Sequence, residues 1–294
     1  MALISIIFSL LIERYLGTLR EFRDFRWFDE FTDRFRELIP ELARRPRTSV
    51  ILLLILPALG VLLAGWLLAG LWSLFGFAFA LAVLLYSYGC QDLEPQIEAF
   101  IDARLRGDNE AARFHLFGML QVDLPEDPRE LTRSLIETVL VEMNDRLLSV
   151  IFWFFLLGPA GALAFRLSSI LKARFRQETS GFGAAAARVH HWLSWVPARL
   201  TAISYALMGN FTESVRYRRE EAHRWSEENR GILVASGLGA LQYPLNPEHA
   251  PASRMNDIAD LRSTIELLRR VIIVWVIGLG ALTVIGASVS WILG

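Results

Sequence analysis

The sequence predicts an all-α, polytopic integral membrane protein, with amphipathic and connecting helices beside its spans. Three observations carry this. Residues 48–91 form a stretch of 44 without one charged side chain, and the 24 residues 271–294 also lack any. Hydrophobic residues make up 53% of the 294, and mean hydropathy is +0.37, above what a soluble enzyme of this length carries. A hydrocarbon core about 30 Å thick takes about 20 apolar residues in a helix, because no water is present to satisfy an open backbone. Residues 48–91 therefore fit two antiparallel crossings with a turn near 70–76, and 271–294 fits one more. Alternating strand patterns are absent.

In chain order, residues 1–12 are apolar but too few to cross, and neither a basic start nor a small-residue cleavage site marks a signal peptide. They lead into a periodic stretch in which Leu16, Leu19, Phe22, Phe25, Phe28, Phe31, Phe35, Leu38 and Leu42 recur every three or four residues. Nine arginines and eight acids between Glu13 and Ser49 lie largely on the other face. This is an amphipathic helix that lies on a membrane surface or against the protein's own helices; the second reading is the plainer. Four stretches result: 1–47, an N-terminal apolar and amphipathic helix; 48–91, a transmembrane hairpin; 92–146, a polar helical segment; and 147–294, a membrane region ending in a transmembrane helix.

The polar segments read as helices too. Asp127-Pro128-Arg129-Glu130 has a capping aspartate, proline at the first helical position and glutamate three residues after the cap. The helix it opens can run straight into the apolar region 147–165, where Gly158-Pro159 predicts a kink. Shorter helices are expected over 95–106 and 109–120, a further one from about 179 through 192, a charged one over 212–229 and a small apolar one over 231–241. Nine arginines in 13–47 favour the cytoplasmic side for that segment. A full crossing at 147–165 would then put Arg166, Lys172, Arg174 and Arg176 outside; either that region is re-entrant or the positive-inside tendency loses here.

Several chemistries are excluded. Net charge is −1, which gives no electrostatic case for nucleic acid. The single cysteine, Cys90, rules out a disulfide framework or a cysteine metal site within one chain. Nucleotide-binding glycine-lysine loops, nucleophile elbows and His-Glu-x-x-His are missing. His190 and His191 are adjacent, so on a helix they diverge by about 100° and do not form the one-turn pair a metal site uses; no metal is expected. Asp123, Glu126, Asp127 and Glu130 read as a solvated helix start. The polar residues that stand out are arginines in apolar company, Arg166 and Arg199, because an unpaired charge at a bilayer centre costs roughly 2.5 kcal/mol or more. Asp145 is their expected partner in a shared polar centre; the bland alternative is that both arginines snorkel to the interface.

The run from Asp145 through Leu157-Gly-Pro-Ala-Gly161 to Arg166, then Phe182-Gly-Ala-Ala-Ala-Ala-Arg188, then Trp195-Val-Pro-Ala-Arg-Leu-Thr-Ala202, resembles the CobD/CbiB superfamily of inner-membrane proteins. The resemblance concentrates in 142–211. The superfamily's cobalamin branch joins an aminopropanol-type unit to a corrin carboxylate with ATP. Its other branch, AmpE, is the membrane companion of an anhydro-muramyl-peptide amidase and is linked to β-lactamase induction. Leu10-Leu-Ile-Glu-Arg14, Phe152-Trp-Phe154 with Leu157-Gly-Pro159, and Ala206-Leu-Met-Gly-Asn-Phe211 resemble AmpE more closely.

Departures from the cobalamin pattern point the same way. Its Glu-Asn pair is Val141-Glu142 here, its Asn-Thr-Leu-Asp is Ser169-Ile-Leu-Lys172, its Asp-Asp is His190-His191, and an asparagine is Ser194. An ATP-dependent ligase uses carboxylates to hold Mg²⁺ on phosphates, so these losses weigh against corrin chemistry and against catalysis. The expectation from the resemblance is therefore a bacterial inner-membrane, multi-pass modulator of β-lactamase induction and cell-wall recycling. It needs no cofactor, its environment is the lipid bilayer, and an anionic cell-wall-derived or nucleotide ligand would meet Asp145, Arg166, Arg188, Arg199 and Asn229. The alternative is a membrane-bound synthetase of adenosylcobinamide phosphate.

Overall fold

A computed structural model describes residues 2–15, 24–39, 45–88, 93–108, 110–114, 127–178, 181–244 and 257–293. Every regular element among them is helical, and three helical runs are long and apolar enough to cross a membrane: Pro46–Leu71, Glu130–Arg174 and Ile258–Ile285. The protein is all-α and polytopic. Leu16, Leu19, Phe22, Leu42, Cys90, His115, Asp123, Glu126 and His249 lie outside the described residues, as does most of the helix expected at 109–120.

Two compact units divide the chain: Met1–Tyr88 with Asp145–Pro197 and Val276–Gly294, and Gly89–Asn144 with Ala198–Trp275. In the first unit α1 (Ala2–Tyr15) is followed by α2 (Arg26–Leu38), then by the hairpin α3 (Pro46–Leu71) and α4 (Ser73–Ser87). The turn falls at Trp72, whose extended backbone (φ −164°, ψ 136°) closes α3 and opens α4. The two arms differ in length. At 15 residues α4 is about 22 Å long, short of a straight crossing, because Tyr88 is already extended. Ser9 and Tyr88 share a buried hydrogen bond of 2.9 Å, tying α1 to the end of α4.

The amphipathic segment packs against its own protein over its described part. Phe28, Thr32 and Phe35 of α2 turn inward at four- and three-residue steps, onto Val50, Leu53 and Leu54 of α3. Burying a phenylalanine such as Phe28 contributes about 1.5–3 kcal/mol. The outer face is tied down as well: Arg174 reaches Asp29 at 3.2 Å and Asp33 at 2.8 Å.

The helix α7 (Ser149–Arg174) completes this core and carries the predicted kink. Gly158 has φ 67° and ψ −155°, a conformation that only glycine adopts readily, and Pro159 brings no N–H to the break. The fold then closes on itself: a Cβ on Gly161 would stand 2.5 Å from the Trp153 carbonyl oxygen. An apolar cavity of about 470 Å³ borders the break, between Ser5, Gly65, Gly76, Phe79, Phe154 and Gly158.

The second unit contains α5 (Leu93–Leu105), α6 (Pro128–Met143), α9 (Phe211–Glu221) and α10 (Glu228–Ala240), together with parts of α8 (Gly181–Met208) and α11 (Asp257–Leu293). The proline start at Pro128 is where the sequence places it. The charged helix expected over 212–229 is instead two pieces, because Trp225 and Glu227 are extended and α10 restarts at Glu228. Glycines let α9 and α10 nearly touch. A Cβ on Gly239 would lie 2.6 Å from the Glu213 oxygen and 2.6 Å from the Ser214 Cα. Ser214 donates to the Ser236 carbonyl across the same contact, at 2.9 Å.

Candidate functional site

Between α6 and α7 the helix loosens into a π turn, Asn144–Leu148, whose wider winding leaves a carbonyl without its usual helical donor. On the second-unit side the Leu140 carbonyl takes the Tyr205 O–H at 2.7 Å, and Thr201 donates to fully buried Asn144 at 3.0 Å. In the first unit the turn presents Asp145. Its Oδ2 lies 3.3 Å from Nε2 of His190, an imidazole only 2% exposed. Nδ1 of His190 lies 3.1 Å from Ser168 Oγ, and the Phe165 ring leans on the imidazole at 5.3 Å.

Pro197 shapes the same unit. A proline in a helix has no N–H, so the carbonyl four residues back loses its helical donor. That carbonyl, Leu193 O, takes the indole N–H of Trp153 at 3.0 Å. Pro197 thus opens an acceptor on its own helix for the Trp153 indole.

The five residues singled out from the sequence separate as follows. Arg199 and Asn229 come together in the second unit: Arg199 donates to Asn229 Oδ1 at 3.3 Å and also forms a close ion pair with Glu228. Asp145 and Arg166 both belong to the first unit, where the Arg166 guanidinium stands 5.6 Å from the Phe25 ring centre. Arg188 is exposed and donates back to the Ala184 carbonyl of its own helix at 3.2 Å. Sequence reasoning missed His190, Ser168 and Glu228. For Glu228 a signal existed, since it adjoins Asn229; His190 stands where the resemblance expects an acid, but nothing in the sequence pairs it with Asp145, 45 residues away.

Among the described residues no three of His, Cys, Asp and Glu converge on one point.

Residues 6–266 match the family described as CobD/Cbib protein. This chain belongs to that family. Among its relatives, the cobalamin biosynthesis protein CobD of Stutzerimonas stutzeri is 30% identical over 81% of this chain and 80% of its own length. The cobalamin biosynthesis protein CobD of Chromobacterium violaceum is 35% identical over 61% of this chain. That match spans only 58% of the Chromobacterium protein's length. The Pelobacter propionicus protein of the same name is 30% identical over 53% of the chain. No solved structure matches.

These relatives correct the expectation of an AmpE-type modulator of β-lactamase induction and cell-wall recycling. The superfamily is right; the branch is not supported, since the relatives carry the cobalamin name and none of them the regulatory one. The physical reason for the error lies in weighing lost carboxylates singly. His190 replaces one acid, yet it stands within hydrogen-bond reach of another, Asp145, so the polar centre is altered and not abolished.

Proposed function

We propose that this chain is a multi-pass inner-membrane protein of cobalamin biosynthesis, acting at the membrane-bound step that joins an amino-alcohol unit to a corrin carboxylate. The observation that carries this reading is the extent of the likeness: 30% identity over 81% of the chain to a protein named for that pathway. Asp145, Arg166, Arg188, Arg199 and Asn229 are the proposed ligand-contacting set. Arginine suits it because its planar fork grips carboxylate or phosphate oxygens in pairs. Arg199 and Asn229 already share one locus, with Glu228 as a resident counter-ion that an anionic ligand would displace.

The test is complementation of a bacterial strain lacking adenosylcobinamide-phosphate synthase. Cobinamide-dependent growth restored by this chain is the expected result. Failure to grow, with the protein present in the membrane at normal levels, would overturn the proposal.

A further inference from the structure

We propose that Asp145 and His190 together form an acid–base site holding one dissociable proton, whether or not the chain performs the corrin step. Counting hydrogens leads there. Ser168 Oγ lies 2.6 Å from the Phe165 carbonyl oxygen, a separation two oxygens keep only with a proton between them. A serine has one O–H, and this contact uses it. Ser168 must then accept from His190, so Nδ1 of His190 carries a proton. The other ring nitrogen, Nε2, faces Asp145 Oδ2 at 3.3 Å. A bare imidazole nitrogen and a carboxylate oxygen would set two lone pairs against each other. A second proton resolves this, either on Nε2 or on the Asp145 carboxyl.

The surroundings suit such a proton. From α7, His190 is met by the tilted Phe165 ring and by Ser168; from the π turn it is met by Asp145. The other charged or titratable side chains carried by these elements are Arg146 in the π turn, Arg166, Lys172 and Arg174 on α7, and Arg188, His191 and Arg199 on α8, while residues 48–91 of the hairpin contribute none. Asp145 is the member open to the outside: its side chain is 16% exposed against 2% for His190. A proton donor or acceptor arriving at the site would meet Asp145, with His190 as the positioning residue behind it.

Nitrogen-15 magnetic resonance of the full chain, histidine-labelled in lipid nanodiscs at pH 7, reads the proton count directly, with His190→Gln assigning the signal. The expected wild-type result is a protonated Nδ1 with a second proton, seen on Nε2 or as a carboxylic-acid band in the infrared. Asp145→Asn can donate its own amide N–H to Nε2, so it should leave a neutral ring protonated only at Nδ1. Ser168→Ala removes the group that forces Nδ1 protonation, so it should move the proton to Nε2 and reduce the count from two to one. A neutral wild-type ring protonated at Nε2 with no carboxylic-acid band would overturn the inference, as would a Ser168→Ala spectrum identical to wild type. None of these readings depends on growth, so the site and the corrin assignment stand or fall separately.

Discussion

The two units solve opposite problems with the same helical material. In the first, the hairpin turns most of its surface outward: Trp66 is 72% exposed and Leu71 76%. In lipid this is no penalty, since hydrocarbon chains are as apolar as leucine. Specificity there comes from a few polar ties, such as Trp153 to Leu193 and Ser9 to Tyr88. In the second unit α10 is buried almost all round, from Leu233 through Ala240 without a break. Its small residues bring backbones together, and cohesion comes from close packing. The lesson is where each unit tolerates change. A methyl group should matter little on the outward face of the hairpin, as at Gly60, and greatly on α10.

That contrast can be broken most forcefully at glycine. Gly239→Ala drives a methyl to 2.6 Å from the backbone of α9, which cannot yield as a side chain would. Overpacking of this kind costs about 1–3 kcal/mol. Gly60→Ala, in mid-α3 with nothing within 4 Å of the new Cβ, should be neutral or stabilise by about 0.5–1 kcal/mol through better helix propensity. Thermal unfolding in one detergent compares the two. Equal melting temperatures would erase the distinction between the units.

Next in size is the indole tie. Trp153→Phe keeps the ring but removes the N–H from the carbonyl that Pro197 leaves open, so a half-buried acceptor loses its partner. The expected loss is about 1–3 kcal/mol. In the Pro197→Ala background the helix regains its own N–H for Leu193, and the loss should shrink to a few tenths. A double-mutant cycle by thermal unfolding measures that coupling, and additivity would show the tie is incidental.

How much of this was legible in the sequence follows the same division. The spans, the kink at Gly158-Pro159 and the start at Pro128 could be read, because charge-free runs, proline and glycine act locally. The short arm α4 could not, since its ends are set by two extended residues, Trp72 and Tyr88, inside an unbroken apolar run. In the candidate site, Arg199 was legible as a charge in apolar company, and Asn229 only through the family resemblance. The Asp145–His190 contact was not, because it depends on a π turn that shifts the register by one residue and leaves no mark in composition.

A smaller effect is expected at Arg199. Lysine keeps the charge but cannot bridge Glu228 and Asn229 with one planar group. Glu228 is 59% exposed, so water screens the pair and the stability change should stay below about 1 kcal/mol. Complementation is the sharper readout: Arg199→Lys should grow more slowly than wild type at equal membrane levels. Unimpaired growth would remove Arg199 from the ligand set.

The smallest expected effect lies at the edge of the first unit, where α2 begins. The Arg26 side chain bonds the Asp24 carboxylate, and the Arg26 backbone N–H adds a second bond at 2.9 Å. These hold the Asp24 carboxyl below the usual aspartate range, the side-chain bond first and the backbone bond next. A depressed carboxylate contributes its stability above its unfolded value and loses it as pH falls through the folded one. The contribution is therefore complete at neutral pH and disappears only in acid. What it steadies is local: the Asp24 carbonyl accepts from Tyr86, which in turn accepts the Trp27 indole N–H at 2.7 Å. Asp24 is fully exposed, so the change should be invisible in global melting and show only as faster amide exchange in residues 26–29 below about pH 4. Asp24→Asn should abolish that pH dependence. Exchange that accelerates equally in the variant would mean that the loosening comes from elsewhere in the unit.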